Sequence, residues 1–317
     1  MRLVVIIPAY DEAADIAATV ASVPRRVEGF AAVEVVVIDD GSTDGTGDLA
    51  LDAGADAVVR HRRNRGLAAA FRTGLDAALA RGADVIVNLD ADGQYRVEDL
   101  PLLVRPIFED RADLVVGARP IDEMRHFSWL KRRLQRLGSA VVRLASGVDV
   151  EDATSGFRAL SANAARRIAV YSPHTYTLES LIQAGSSGID VLSVPVGVNG
   201  STRPSRLMRS WPQYVRRSAA TIVRMFVVYR PFRFFGAVSL VFALAGATLV
   251  VRFLVYYLTT GGEGRVQSLV VGAGLLTVGV QILMTAFLAD AVATNRRILE
   301  QLRHHARNDR SRVGGAE

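Results

Sequence analysis

No cysteine occurs in the 317 residues. That excludes a disulfide framework and any thiolate-held metal, and it suits a reducing compartment. Aromatic residues are few, 7% against 50% hydrophobic, so the apolar content is mostly Ala, Val and Leu. Also missing are a Gly-x-Gly-x-x-Gly after the first apolar run and a Gly-x-x-x-x-Gly-Lys anywhere, which removes the dinucleotide-binding and P-loop patterns. The opening run Leu3-Val4-Val5-Ile6-Ile7 is too short for a signal peptide and reads as a strand ended by Pro8. The net charge of +6 comes from Arg more than Lys, and many of those Arg sit beside apolar runs in the C-terminal third. This favours a membrane surface or phosphates as partners over nucleic acid.

The length allows one large domain with additions, or two domains. Within the N-terminal two thirds, Val85 to Leu89 is an apolar run with the Val and Ile content of a buried parallel strand. It stops at Asp90-Ala91-Asp92-Gly93-Gln94. The C-terminal ends of strands are where open α/β sheets bind ligands, and two carboxylates there can hold Mg²⁺ or Mn²⁺ shared with substrate phosphates. An acidic turn capping the next helix is the other reading of the same residues. A second run, Val33 to Ile38, also ends in paired acids, Asp39-Asp40, followed by Gly41-Ser42-Thr43-Asp44. Further strands are predicted at Ala57 to Arg60, Leu114 to Gly117 and, on an edge, Val191 to Val196. Helices are predicted from about Ala13 to Val23, through Leu49 to Ala53, from Leu67 to Leu79, from Ala162 to Ala169, and starting at Leu178. Strands alternating with helices at this spacing imply βαβ units and a mostly parallel sheet.

Seven basic residues crowd Arg119 to Arg143, and most suit the solvated face of a helix. Arg119 differs, because it follows a strand end and lies on the same sheet edge as Asp39 and Asp92, where a guanidinium can fork onto phosphate oxygens. The segment Glu151-Asp152-Ala153-Thr154-Ser155-Gly156-Phe157-Arg158 reads either as a helix-capping loop or as part of a site. Asn199 to Arg206 is a polar, basic loop.

Beyond it, Leu207 to Arg230 mixes Arg with Leu, Trp, Tyr, Val and Ile, the composition of a helix lying in a bilayer interface. Phe234 to Val251, extended to Leu258, and Val266 to Ala289 are long enough to cross a bilayer as a hairpin. Arg230 and Arg233 before it and Arg296, Arg297 and Arg303 after it predict that both ends are cytoplasmic. A polar tail without fixed structure is expected from His304 to Glu317. The domain layout is thus 1–206 catalytic, 207–233 juxtamembrane, 234–290 transmembrane and 291–317 a basic tail. The apolar helices could also join copies into a homo-oligomer.

In this order, Pro8-Ala9-Tyr10-Asp11-Glu12, Ile38-Asp39-Asp40-Gly41-Ser42-Thr43-Asp44, Asn64-x-Gly66, Asp90-Ala91-Asp92-Gly93-Gln94, Gly117-Ala118-Arg119 and Asp152-x-Thr154-Ser155-Gly156-Phe157-Arg158 form a specific set. The chain resembles a family 2 glycosyltransferase of GT-A fold, of the dolichol-phosphate mannose synthase type in its bacterial polyprenyl-phosphate form. The resemblance implies an α/β GT-A domain and a metal-dependent, inverting transfer of a hexose to polyprenyl phosphate. The donor would be a nucleotide-diphosphate sugar of the GDP-mannose or UDP-glucose type. Pro8, Tyr10, Glu12, Ile38 and Asp39 would line the base and ribose pocket, with Asp90 and Ala91 on the nucleotide. Asp92 and Gln94 would hold the cation and Arg119 a phosphate. Asp152, in the position of a candidate base, Ser155 and Arg158 would lie at the acceptor, and Arg203 and Arg206 would grip phosphates. Two departures stand out: Asp11 replaces the usual Asn, and Asn199 to Ser205 lacks the usual Arg-x-x-Gly-x-Ser spelling. A transferase onto another lipid or a polysaccharide, and a non-catalytic nucleotide-sugar-binding membrane partner, are the competing functions.

Overall fold

The structure is a computed structural model that describes residues 1–120, 139–140, 142–143, 146–168, 170, 176–199, 223–224, 227, 230–261 and 266–313. It divides into two compact units, Met1–Tyr214 and Val215–Glu317.

In the first unit, β1 (Arg2–Ala9), β2 (Ala32–Asp39), β3 (Ala57–Arg60) and β4 (Val85–Asn88) alternate with α1 (Ile16–Ser22), α2 (Thr46–Asp52) and α3 (Leu67–Ala80). Then follow α4 (Leu100–Phe108), β5 (Leu114–Ala118), β6 (Arg158–Ser161), α5 (Ala162–Arg167), α6 (Thr177–Ser186) and β7 (Val191–Pro195). Among the described residues these strands form one sheet in the order β3-β2-β1-β4-β6-β5-β7. All pairings are parallel except those of β6, which runs antiparallel between β4 and β5. The central strands are covered on both faces, which is why their sequences run apolar without alternation. On one face Leu3, Val5, Ile7, Val35, Val37, Val85 and Val87 pack with Ile16, Val20, Leu100 and Leu103. On the other, Ile6 and Ile38 meet α3 so closely that a methyl on Gly74 would lie 2.8 and 3.1 Å from their Cδ1 atoms.

Three expectations are corrected. Pro8 does not end β1, which continues to Ala9 in register with β2. Its missing N–H belongs to the side facing β4, and β4 has already ended opposite Ile6, so no ladder bond is lost. Strand β6 was not foreseen, because a four-residue strand that opens with Arg158 carries no periodic signal. Helix α1 begins at Ile16, since Glu12 to Asp15 form a turn in which the Glu12 carbonyl accepts from the Asp15 and Ile16 N–H groups.

In the second unit, α7 (Pro231–Thr260) and α8 (Val266–Val313) pack along one another. Pro231–Thr259 and Val266–Asn295 are long and apolar enough to cross a membrane, their most apolar stretches having mean hydropathies of 2.3 and 2.0. Only 11% and 17% of their most apolar windows are buried, unlike the core helices of a soluble protein. Small residues line the contact: a methyl on Gly246 would meet the Gly272 carbonyl at 2.8 Å, and the Ser239 hydroxyl donates to the Gly279 carbonyl at 2.8 Å. This is the close backbone approach that packs helices where no water drives them together. Gly246→Leu should therefore wedge the pair apart, and a fall of several degrees in the thermal unfolding of the detergent-solubilised protein is expected.

The expected tail without structure from His304 is also corrected, because α8 continues to Val313. Residues 291–313 contain neither Gly nor Pro and are rich in Arg, with Ala and Leu among them, so nothing stops the helix before Gly314. Most of the proposed juxtamembrane segment 207–230, and Arg203 and Arg206, fall outside the described residues.

Candidate active site

The C-terminal ends of β1, β2 and β4 lie side by side, and the loops leaving β1 and β2 are laced together. The Asp11 N–H donates to Ser42 Oγ at 3.0 Å, and Thr43 N–H returns to Asp11 Oδ1 at 3.0 Å. Glu12 N–H donates to Thr46 Oγ1 at 2.9 Å and Ala13 N–H to Asp44 Oδ2 at 3.0 Å. Asp11 adopts φ 51°, a left-handed conformation that Asn and Asp tolerate best. The departure from the family's Asn is thereby explained, since either residue offers the same oxygen to Thr43. Asp11→Asn should leave stability within about 0.5 kcal/mol. Asp11→Ala should lose about 1–2 kcal/mol from the missing bond and the strained φ; thermal unfolding of the two variants distinguishes them.

Tyr10, 42% exposed, and the half-buried Glu12 stand on this edge, with Pro8 buried just beneath. Asp39 Oδ1 caps its own turn by accepting from Ser42 N–H at 2.9 Å. Ile38 is fully buried against α3, so its side chain belongs to the core and its contribution to a pocket is limited to the backbone. Asp40, buried, accepts from His61 Nδ1 at 2.6 Å, from Arg65 N–H at 2.9 Å and from Gly66 N–H at 2.8 Å. The Asn64-x-Gly66 motif is therefore held by the second acid of the Asp39-Asp40 pair. Gly41 (φ 78°) permits this, because a methyl there would strike the Arg63 and Asn64 backbone.

At the end of β4, Ala91 is buried in the core and its carbonyl accepts from the Thr19 hydroxyl at 3.0 Å. Asp90, Asp92 and Gln94 flank it on a half-buried turn in which Gly93 has φ 65° and Asp92 Oδ1 accepts from Gln94 N–H at 3.2 Å. Burial, and then the neighbouring Asp92 charge, push the Asp90 carboxyl up to about 6, against the pull of Arg119 and Arg158. The Asp90 carboxylate lies against Gly156, where a Cβ atom would overlap it. Among the described residues no group of three or more acids and histidines forms a self-sufficient metal cage. One carboxylate, one carboxamide and crowded negative charge instead fit a divalent cation whose remaining ligands come from a diphosphate.

Opposite this turn, Arg119 follows β5 and forks onto Asp152, with Nε to Oδ2 at 2.6 Å and Nη2 to Oδ1 at 3.2 Å. Nη2 also donates to Thr154 Oγ1 at 2.9 Å, and the guanidinium carbon sits 5.9 Å from the centre of the Tyr95 ring. Asp152 is fully buried. Burial alone would raise its pKa, but Arg119 and the bonds from Thr154 hold the carboxyl below the usual carboxylate range.

Arg158 is 1% exposed and donates to the carbonyls of Ser155, Thr177 and Ala153 and to the Ser180 hydroxyl, at 2.7–2.8 Å. The expected ligand contact from Arg158 is corrected on this ground: it holds the 152–156 loop to α6. Ser155 is buried too, with its hydroxyl 3.3 Å from that of Tyr95.

Three residues missed from the sequence complete the arrangement. The Tyr95 hydroxyl accepts from Gly156 N–H at 2.9 Å. Asn88 Nδ2 donates to the Gly156 carbonyl at 2.7 Å and to the Tyr176 hydroxyl at 2.9 Å. An amide inside the apolar run Val85 to Leu89 was the available signal for Asn88. Tyr95 and Tyr176, single aromatic residues, gave none.

The seven-stranded, mostly parallel sheet with acids at its strand ends is the architecture of a GT-A domain. The model of the family described as glycosyl transferase family 2 matches residues 4–169, and the chain belongs to that family. It is 34% identical over 206 residues to a polyprenol monophosphomannose synthase of Mycolicibacterium smegmatis, covering 62% of this chain and 76% of that one. Identity to an undecaprenyl-phosphate mannosyltransferase of Micrococcus luteus is 32% over 206 residues, covering 62% and 83%. Glycosyltransferase AglJ of Haloferax volcanii matches at 30% along 92% of this chain and 94% of its own. Among solved structures, glucosyl-3-phosphoglycerate synthase from Mycobacterium tuberculosis superposes with a TM-score of 0.55 at 23% identity, covering 71% and 77% of the two chains. At that identity the likeness establishes the fold.

Proposed function

We propose that this glycosyltransferase moves one hexose, with inversion, from a nucleotide-diphosphate donor of the GDP-mannose or UDP-glucose type to polyprenyl phosphate at the cytoplasmic face of a membrane. The observation that carries the reading is the meeting of the Asp90 to Gln94 turn with the Arg119–Asp152 pair across Tyr95 and Gly156. Names of relatives that act on polyprenol and undecaprenyl phosphate support the acceptor. So do two helices of membrane-spanning length in the same chain, since a prenyl chain keeps its phosphate at the headgroup plane.

In this reading Tyr10, Glu12 and Asp39 receive base and ribose, helped by the backbone at Pro8 and Ile38. Asp92 and Gln94 hold Mg²⁺ or Mn²⁺, which when bound neutralises charge on the departing diphosphate. Arg119 faces phosphate while Asp152 fixes its direction. The acceptor is a phosphomonoester with a second pKa of about 6, so it arrives largely ionised and needs no strong base. Asp152, ion-paired and held below the usual carboxylate range, is suited to orienting and ill suited to taking a proton. Arg203 and Arg206 are proposed to add phosphate contacts.

The test is a panel of labelled nucleotide sugars offered to the full chain in vesicles with and without polyprenyl phosphate. One donor is expected to release nucleoside diphosphate only when both acceptor and divalent cation are present. Failure of all donors to turn over would contradict catalysis and favour a binding protein.

A further inference from the structure

We infer that Asn199 is a positioning residue for the cation-holding turn and sets its metal affinity; the inference rests on the metal role proposed for Asp92 and Gln94. After β7 the chain turns back along the segment that follows Asp92, with Val196 N–H on the Ala118 carbonyl at 2.9 Å and a bridge between Val198 and Tyr95. Asn199 then captures three successive carbonyls of the turn. Its N–H donates to the Gln94 carbonyl at 2.8 Å, and its Nδ2 donates to those of Gly93 at 3.0 Å and Tyr95 at 3.2 Å. Both side-chain contacts are to acceptors, so the amide orientation is set by chemistry: only the NH₂ end can serve them.

The turn needs such a clamp. Gly93, at φ 65°, is the most permissive residue the chain could place between two ligands. The internal bond from Gln94 N–H uses an oxygen of Asp92, the carboxylate that would face the cation, so coordination competes with it. Capture of the carbonyls by Asn199 draws on neither Asp92 nor the Gln94 side chain. It holds the backbone at 93–95 from outside, in the way partners behind a metal ligand orient it elsewhere, where their loss costs about 10–100-fold in affinity.

The experiment titrates Mn²⁺ into the 317-residue chain in detergent, reading free Mn²⁺ by electron paramagnetic resonance with GDP or UDP present, whichever the wild type binds. Nucleoside diphosphate affinity without divalent cation is measured alongside. Asn199→Ala and Asn199→Asp, whose side chains cannot donate to the Gly93 and Tyr95 carbonyls, are compared with wild type, with Asp92→Asn, and with Ser161→Ala. The last removes the cap of α5, where Ser161 Oγ accepts from Ala164 N–H at 3.0 Å, and serves as a variant destabilised away from the turn. Both Asn199 variants are expected to bind Mn²⁺ about 10-fold more weakly, with metal-free nucleotide affinity unchanged and Ser161→Ala like wild type. Unchanged Mn²⁺ affinity in the Asn199 variants, or an equal loss in Ser161→Ala, overturns the inference alone. Wild type no better than Asp92→Asn overturns the metal reading and the inference with it.

Discussion

Asp92→Asn should lower kcat by about 10³-fold, a loss of about 4 kcal/mol of transition-state stabilisation. Asp152→Asn should cost no more than about 10²-fold. In the proposed site Asp92 would be the charged ligand of the pair with Gln94, and cation-based stabilisation of a leaving diphosphate is worth several kcal/mol. An amide in its place keeps the shape and discards the charge. Asp152, paired to Arg119, would act one step removed, through that guanidinium. Its amide variant keeps one oxygen for Thr154 and Arg119 Nη2, while the 2.6 Å contact with Arg119 Nε becomes a meeting of two donors and that arm of the fork is lost. The residual arginine charge still faces the site, so orientation suffers more than electrostatics. Steady-state turnover of both variants, at saturating donor and fixed Mn²⁺, checks the order; a greater loss in Asp152→Asn would make that residue the base after all.

Gly156→Ala should reduce kcat by about 10²-fold, because misplacing a catalytic group by about 1 Å has that effect. The added methyl would occupy the space of the Asp90 carboxylate. The backbone at 156 cannot easily retreat, since its N–H is tied to Tyr95 and its carbonyl to Asn88 at 2.9 and 2.7 Å. Asp90 must swing instead, taking with it the turn that carries Asp92. An overpacking penalty of about 1–3 kcal/mol in stability is expected alongside. Measuring kcat together with thermal unfolding separates the two effects: a stability loss with full turnover would mean that the position of Asp90 is irrelevant to transfer.

Much of the fold was legible because its strands are buried on both faces. Ala57 to Arg60 was placed as it stands in β3, and Val191 to Val196 differs by one residue from an edge strand that does close the sheet order. What escaped was whatever depends on partners distant in sequence. Strand β6 is defined by β4 and β5 on either side, and four residues starting with an arginine announce none of that. In the candidate site, the clustering of acids at strand ends pointed to the Asp90 to Gln94 turn, which the fold places just after the end of β4. Residue type could not say which polar groups face a ligand and which face the protein. Asp40 and Arg158 look like ligand residues on paper, yet the fold turns both inward, one onto the His61 to Gly66 loop and the other onto three carbonyls. The Asp11 substitution, conversely, looked like a departure and is none, because a left-handed turn needs an oxygen there and either residue supplies it.

The central claim is that sugar leaves a nucleotide diphosphate for a prenyl phosphate oxygen with inversion at the anomeric carbon. It is tested most directly by isolating the lipid made by the purified full chain and determining its mass and anomeric configuration by mass spectrometry and NMR. A polyprenyl monophosphate bearing one hexose, with the anomeric configuration opposite to the donor's, is the predicted product. A retained configuration, a sugar attached through a group other than the phosphate, or free sugar alone would contradict it.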